Sequence, residues 1–381
     1  MASEAELCES ENGGQHLLMA KESGEDKPVR DHLIVMVNGI GGSAGNWKFA
    51  SDQFVKKFPD KVIVHCSERN ASRLTLDGVD VMGERLADEV DTVTKCNPGL
   101  KKISFISHSV GGLVARYSIG RLYEPPSSDK ITLEHKELPN GNIFQYDKEQ
   151  SSGMIAGLEP VNFITVATPH LGSKGKKQVP FLFGLPLLEK VACLGVHIFI
   201  GRTGRHLFLT DNHEGKLPLL RRMLNDCGDL YFMSALRAFK CRIAYSNVAY
   251  DHIVGWRTSS IRLESQLPKL QDPIDERYPH IVNVEDENDN SHKPRSPVSK
   301  EDHSVNPEEA FVDVNCQKMT LVTCVWKLSK SRHHRKWWQA SQRYLGSELM
   351  SVFKQANRDL MLIVPFSDLL QRQSENTFIQ Q

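Results

Sequence analysis

Serine, aspartate and histidine are the side chains that together perform acyl transfer, and the chain offers them in an order that fits one such site. Ser109 lies in the run Ile103-Ser104-Phe105-Ile106-Ser107-His108-Ser109-Val110-Gly111-Gly112-Leu113-Val114-Ala115-Arg116, a short apolar strand that ends in a tight turn and opens directly into a helix. A nucleophilic serine rides on such an elbow, where small neighbours let the backbone turn sharply and the hydroxyl projects clear of the sheet. Gly111 and Gly112 are those neighbours. Ser107 stands two before the serine, where the usual G-x-S-x-G pattern has glycine, so the string alone reads equally well as an ordinary turn.

Acyl transfer needs an oxyanion hole, built from the N–H after the nucleophile and a second N–H from the loop behind an earlier strand. Asn38-Gly39-Ile40-Gly41-Gly42-Ser43 is such a loop, and Ile40 and Val110 are the expected donors. Its other reading, a phosphate-binding turn, lacks G-x-G-x-x-G in register. The expected acid is Asp251, just past the apolar strand 242–248, although an Asx-turn would also place an aspartate there. The base must follow the acid in chain order. His334 or His333 is preferred, because both come after an apparent strand and before a helix; His280 is the weaker choice. His252 adjoins the acid and reads as structural, and His292 and His303 fall in a polar stretch. Gly39, Gly41, His108, His170 and Leu171 are expected to contact substrate, with His170 shaping the rim of the site.

The elements that must hold these residues alternate strand and helix. Apolar runs at 32–37, 61–65, 103–106, 162–167 and 242–248 read as strands of a mostly parallel sheet covered on both faces. Helical segments at 47–58, 79–96 and 112–122 lie between them, which makes βαβ units. Residues 218–239 read as helix. The expected organisation is a flexible tail over 1–28 and a domain over 29–270 with a cap or lid insertion around 172–240. An acidic disordered linker follows over 271–315, then a divergent segment over 316–381 with a last strand at 319–328 and a helix at 337–362.

Composition narrows the function. The chain has 381 residues, 40% of them hydrophobic, enough for a substantial core. Lys+Arg and Asp+Glu are 47 each, so no overall field favours nucleic acid, which is excluded as a partner. Eight widely spaced cysteines without a C-x-x-C pair read as reduced thiols of an intracellular, cytoplasmic protein. No signal peptide is evident. The apolar stretch 181–200 carries Glu189 and Lys190 near its middle, which argues against a membrane span and for an amphipathic lid with peripheral lipid contact. Nothing points to an oligomer.

Several motifs together resemble the putative serine esterase (DUF676) family of lipase-like α/β-hydrolases, in its plant-type form. They are residues 32–47 with the N-G-I-G-G loop, 75–80 leading to 83–87, 107–113, 167–173, 201–211 and 250–262. The resemblance runs from about residue 31 to about 280. It implies an α/β-hydrolase fold with a central sheet flanked by helices, ester hydrolysis on lipid-like substrates, and Ser109 and Asp251 as nucleophile and acid. Asn38 stands where related lipases often carry histidine, and no His-Asn pair precedes a final helix. The expected function is a serine esterase or lipase working without metal or organic cofactor. The alternative is a catalytically impaired scaffold of the same fold that binds a lipid or a protein.

Overall fold

Every residue of β1 (His32–Val37) is buried, and its side chains divide by strict alternation between two hydrophobic clusters. Leu33, Val35 and Val37 join one cluster, Ile34 and Met36 the other. A continuous apolar run is what a strand needs when both of its faces are covered. The computed structural model describes residues 30–126, 153–173, 200–212, 215–248, 254–269, 281–285 and 319–324.

The remaining strands of the main sheet are β2 (Val62–Cys66), β3 (Lys102–His108), β6 (Glu159–Val166), β7 (Cys241–Asn247), β8 (Ile281–Glu285) and β9 (Thr320–Cys324). β4 (Tyr123–Glu124) and β5 (Met154–Ile155) form a separate small ribbon. The seven-stranded sheet runs β2-β1-β3-β6-β7-β9-β8. All its pairings are parallel except the one between β8 and β9. The C-terminal ends of six strands therefore open at one edge, which is where ligands bind in sheets of this kind.

Helices cover both faces. α1 (Lys48–Lys57) sets Ala50 and Phe54, with Trp47, against Ile34, Met36, Ile106 and Ile164. α2 (Val79–Cys96) and α3 (Gly111–Leu122) cover the opposite face together with the helix Phe232–Ala238. α2 and α3 approach closely at Gly83, where an added Cβ would lie 2.3 Å from Cδ1 of Tyr117. This is the α/β-hydrolase architecture expected from the sequence.

Residues 200–207 are helical and supply what α2 lacks. Gly78, the residue before α2, has no side chain with which to cap it. The Gly78 N–H donates instead to Thr203 Oγ1 at 3.0 Å, and the Val79 N–H to His206 Nδ1 at 3.0 Å. Two of the orphan N–H groups at a helix start are thus satisfied from a distant segment.

Three expectations need correction. Residues 218–239 form two short helices, Leu219–Arg222 and Phe232–Ala238. The break comes from Asp226, whose carboxylate accepts the Met233 and Ser234 N–H groups at 2.8 and 3.1 Å, and from Gly228 at φ +57°. Within the supposed linker 271–315, residues Ile281–Glu285 are a strand paired with β9. Glu285 there meets Arg262 at 2.5 Å, a guanidinium that is only 1% exposed. Third, Cys66, Cys227, Cys241 and Cys324 are free thiols, whereas Cys96 is disulfide-bonded, so thiols spaced widely in sequence are not all reduced. The tail 1–28 and the central part of the apolar stretch, 181–199, lie outside the described residues, as do 325–381. Among the described residues no helix is long and apolar enough to cross a membrane.

Candidate active site

β3 ends at His108 and α3 begins at Gly111, so the chain must reverse within two residues. Ser109 makes that reversal in the left-handed region, at φ +54°. Only glycine visits this region without a steric cost, and a serine held there is the kind of strain stored at functional sites. Its backbone is tied on both sides. The Ser109 N–H donates to the Val166 carbonyl at 2.9 Å, and the Ser109 carbonyl accepts from Thr168 Oγ1 at 2.8 Å and from the Gly112 N–H at 3.1 Å. Gly111 cannot carry a side chain, because a Cβ would fall 2.5 Å from the Asn38 carbonyl oxygen.

The loop after β1 lies directly against the serine. A Cβ on Gly39 would come 2.7 Å from Cβ and 3.2 Å from Oγ of Ser109. The loop is braced by Asn38 Nδ2, which donates to the Asn70 carbonyl at 2.9 Å, and by the Gly42 carbonyl, which accepts from the Ser72 N–H at 2.9 Å. The Gly41 N–H donates to Thr75 Oγ1 at 2.8 Å and is thereby spent. The Ile40 and Val110 N–H groups make no hydrogen bond among the described residues. The Val110 N–H also sits at the start of α3, where unsatisfied amides and the helix dipole favour negative charge.

Burial lowers the His108 imidazole to about 4, so it is neutral beside the serine at pH 7. His170, expected at the rim, is instead 2% exposed, and Leu171 is 4% exposed. His170 Nε2 shares a 2.9 Å hydrogen bond with Thr165 Oγ1. Burial, and after it the Arg116 guanidinium, hold that imidazole well below its ordinary range. The Leu171 N–H donates to Thr258 Oγ1 at 3.0 Å, and Thr258 Oγ1 donates to the Gly172 carbonyl at 2.7 Å. The Leu171 N–H and His170 Nε2 are thus spent on neighbouring turns, and neither residue opens onto the rim. Ser107 is fully buried, and its hydroxyl has no partner among the described residues.

Asp251 and His252 fall in residues 249–253, outside the described residues, as do His280, His292, His303, His333 and His334. Their flanks are in place. β7 ends at Asn247 on the same sheet edge as the elbow, and the helix Trp256–Ser260 follows. β9 lies parallel beside β7 and ends at Cys324 on that edge. Ile281, next to His280, pairs with Cys324 at that edge. Sequence reasoning passed over Thr75, Thr168 and Thr258, which position the loop and the elbow. The signal available was a hydroxyl in each of the motif segments 75–80, 167–173 and 250–262. Among the described residues no group of three or more His, Cys, Asp or Glu is gathered to hold a metal ion.

A family model described as "Putative serine esterase (DUF676)" matches residues 27–261. "Putative lipase ROG1" of Saccharomyces cerevisiae is 28% identical over 236 residues, 61% of this chain and 29% of that protein. "Putative lipase C4A8.10" of Schizosaccharomyces pombe is 27% identical over 243 residues, 61% of this chain and 26% of that protein. The chain thus spans less than a third of the length of these relatives. The crystal structure of Aspergillus fumigatus lipase B aligns with 62% of this chain and 42% of its own at a TM-score of 0.33 and 14% identity. Bacillus licheniformis lipase BlEst2 in mature form gives 0.31 and 15% over 60% of this chain and 71% of its own.

Proposed function

From the premise that the chain belongs to the putative serine esterase (DUF676) family, we propose that it hydrolyses carboxylic esters of lipid type with Ser109 as nucleophile. The observation that carries this reading is the left-handed Ser109, pressed against a loop whose Ile40 N–H is unspent. Ser109 Oγ attacks the ester carbonyl while a histidine takes its proton. The proposed donors to the oxygen that becomes negative are the Ile40 and Val110 N–H groups, neither of them spent on another bond among the described residues. The imidazolium protonates the leaving alcohol, and water then releases the acid from the acyl-enzyme by the same steps in reverse.

Asp251 is the proposed acid, since the loop after β7 leaves the sheet at the catalytic edge. His334 or His333, following β9, is the proposed base. His280 remains the alternative, because its neighbour Ile281 lies at that same edge. Gly39, Gly41 and His108 are the proposed substrate contacts, Gly39 being packed against Ser109, and the lid role of 181–200 belongs to the same reading.

Ser109→Ala should abolish hydrolysis of short p-nitrophenyl esters and labelling by a fluorophosphonate. Labelling that survives the substitution overturns the assignment. A native chain that binds fatty acyl ligands yet resists the probe would identify the non-catalytic scaffold instead.

A further inference from the structure

The exposed large hydrophobic residues among those described are Ile40, Val55, Leu74, Leu217 and Val284. Two of them are neighbours. The hydrogen bonds from the Gly41 N–H to Thr75 Oγ1 and from the Ser72 N–H to the Gly42 carbonyl lock the loop 38–43 to the turn Ser72–Leu76. This places Ile40, 39% exposed, and Leu74, 45% exposed, on adjoining segments, the first of which packs its Gly39 against Ser109. Arg69 and Arg73 are exposed on the same segment, and neither forms an ion pair among the described residues. The other charges nearby are Glu68, exposed, and the pairs Arg85–Asp77 and Arg202–Asp80, each neutral in sum. The rim therefore carries two aliphatic tips among guanidinium groups, in a chain whose formal net charge is zero.

We propose that this rim, Ile40 and Leu74 flanked by Arg69 and Arg73, docks the protein onto an anionic lipid surface and so brings Ser109 to the headgroup level. Aliphatic side chains gain by leaving water for the acyl boundary, and arginines beside them gain from lipid phosphates and the negative surface potential. Ile40 also contributes an oxyanion donor under the esterase reading, so docking and substrate entry share one loop. The purpose assigned to docking rests on that reading, whereas the docking itself does not.

The test is sedimentation of the full chain with vesicles of phosphatidylcholine alone and of equimolar phosphatidylcholine and phosphatidylserine, at low and high salt. The native chain should bind the anionic vesicles, and high salt should weaken that binding. Leu74→Asp and Arg73→Glu should each weaken it about tenfold. Both variants should keep fluorophosphonate labelling and hydrolysis of a soluble short ester, which shows that they fold. Val55→Asp, on the outer face of α1, should bind as the native chain does. Equal binding to both vesicle types, no loss in either rim variant, or the same loss in Val55→Asp overturns the proposal. So does a native chain that ignores vesicles but forms a dimer dispersed by Leu74→Asp, which would assign the rim to a second copy. Failure of labelling in the native chain would instead remove the esterase reading and leave the vesicle result standing.

Discussion

Replacing Ser109 by glycine and by alanine should separate the strain at the elbow from its chemistry. Both substitutions remove Oγ, and both leave the backbone bonds to Val166, Thr168 and Gly112 in place, so those contributions cancel between them. What differs is the cost of holding φ at +54°. A residue with a Cβ pays about 1–2 kcal/mol there, and glycine avoids it. Glycine loses about 0.5–1 kcal/mol more chain entropy on folding than alanine does. The difference leaves Ser109→Gly more stable than Ser109→Ala by up to about 1.5 kcal/mol, centred on about 0.75 kcal/mol. At an ordinary strand or helix position the sign reverses, with alanine ahead by a similar amount. Urea unfolding followed by tryptophan fluorescence resolves the two midpoints, provided the slopes match. An alanine variant at least as stable as the glycine variant would refute a left-handed nucleophile. Neither variant should be labelled by a fluorophosphonate.

Three further outcomes follow from the same structure. Ser107→Ala removes a buried hydroxyl without a partner among the described residues and should stabilise by about 1 kcal/mol in urea unfolding, with labelling of Ser109 retained. Gly83→Ala drives a methyl to 2.3 Å from Tyr117 Cδ1 and should destabilise by about 1–3 kcal/mol, again with labelling retained below the transition. The third concerns pH. Burial lowers His32, hydrogen-bonded to Ser104 Oγ at 2.8 Å, from 6.5 to about 4. Between those values the unfolded chain binds the proton and the folded chain does not. Stability is therefore full above about 6.5 and falls toward pH 4, by up to about 3 kcal/mol from this group. Melting temperatures at pH 7 and 5 should show the fall, and His32→Gln should flatten it.

The strands and helices nearest the elbow were legible because each is a long run of one period. β1 and α2 have the bounds their apolar patterns predict, since β1 is buried on both faces and α2 buries one stripe at helical spacing. β8 was hidden. Ile281-Val282-Asn283-Val284-Glu285 is five residues of an edge strand inside an acidic stretch, and the average over its surroundings masks its alternation. The break at Asp226 was missed because a carboxylate capping the following helix looks, in sequence, like any polar residue on a helix face. The clamps around the site were illegible for another reason. The bonds of Thr75, Thr168 and Thr258 join residues 34, 59 and 87 positions apart, and only the folded sheet edge brings such pairs together. The burial of His170 belongs to the same class, because a histidine on a loop gives no sign of which way the loop folds.

Arg262 bears on where the folding unit ends. The family match stops at residue 261, yet among the described residues the counter-charge of the buried guanidinium immediately beyond it is Glu285, which β8 delivers. A protein expressed as the matched region plus a short tail would keep the cation and lose the anion. An ion stranded in this way costs about 3–5 kcal/mol, a large part of the stability of most domains. Trimming to the matched region should therefore yield insoluble material, and a usable minimal fragment has to reach at least through β9. In this chain the segment that resembles its relatives is shorter than the segment that can stand alone.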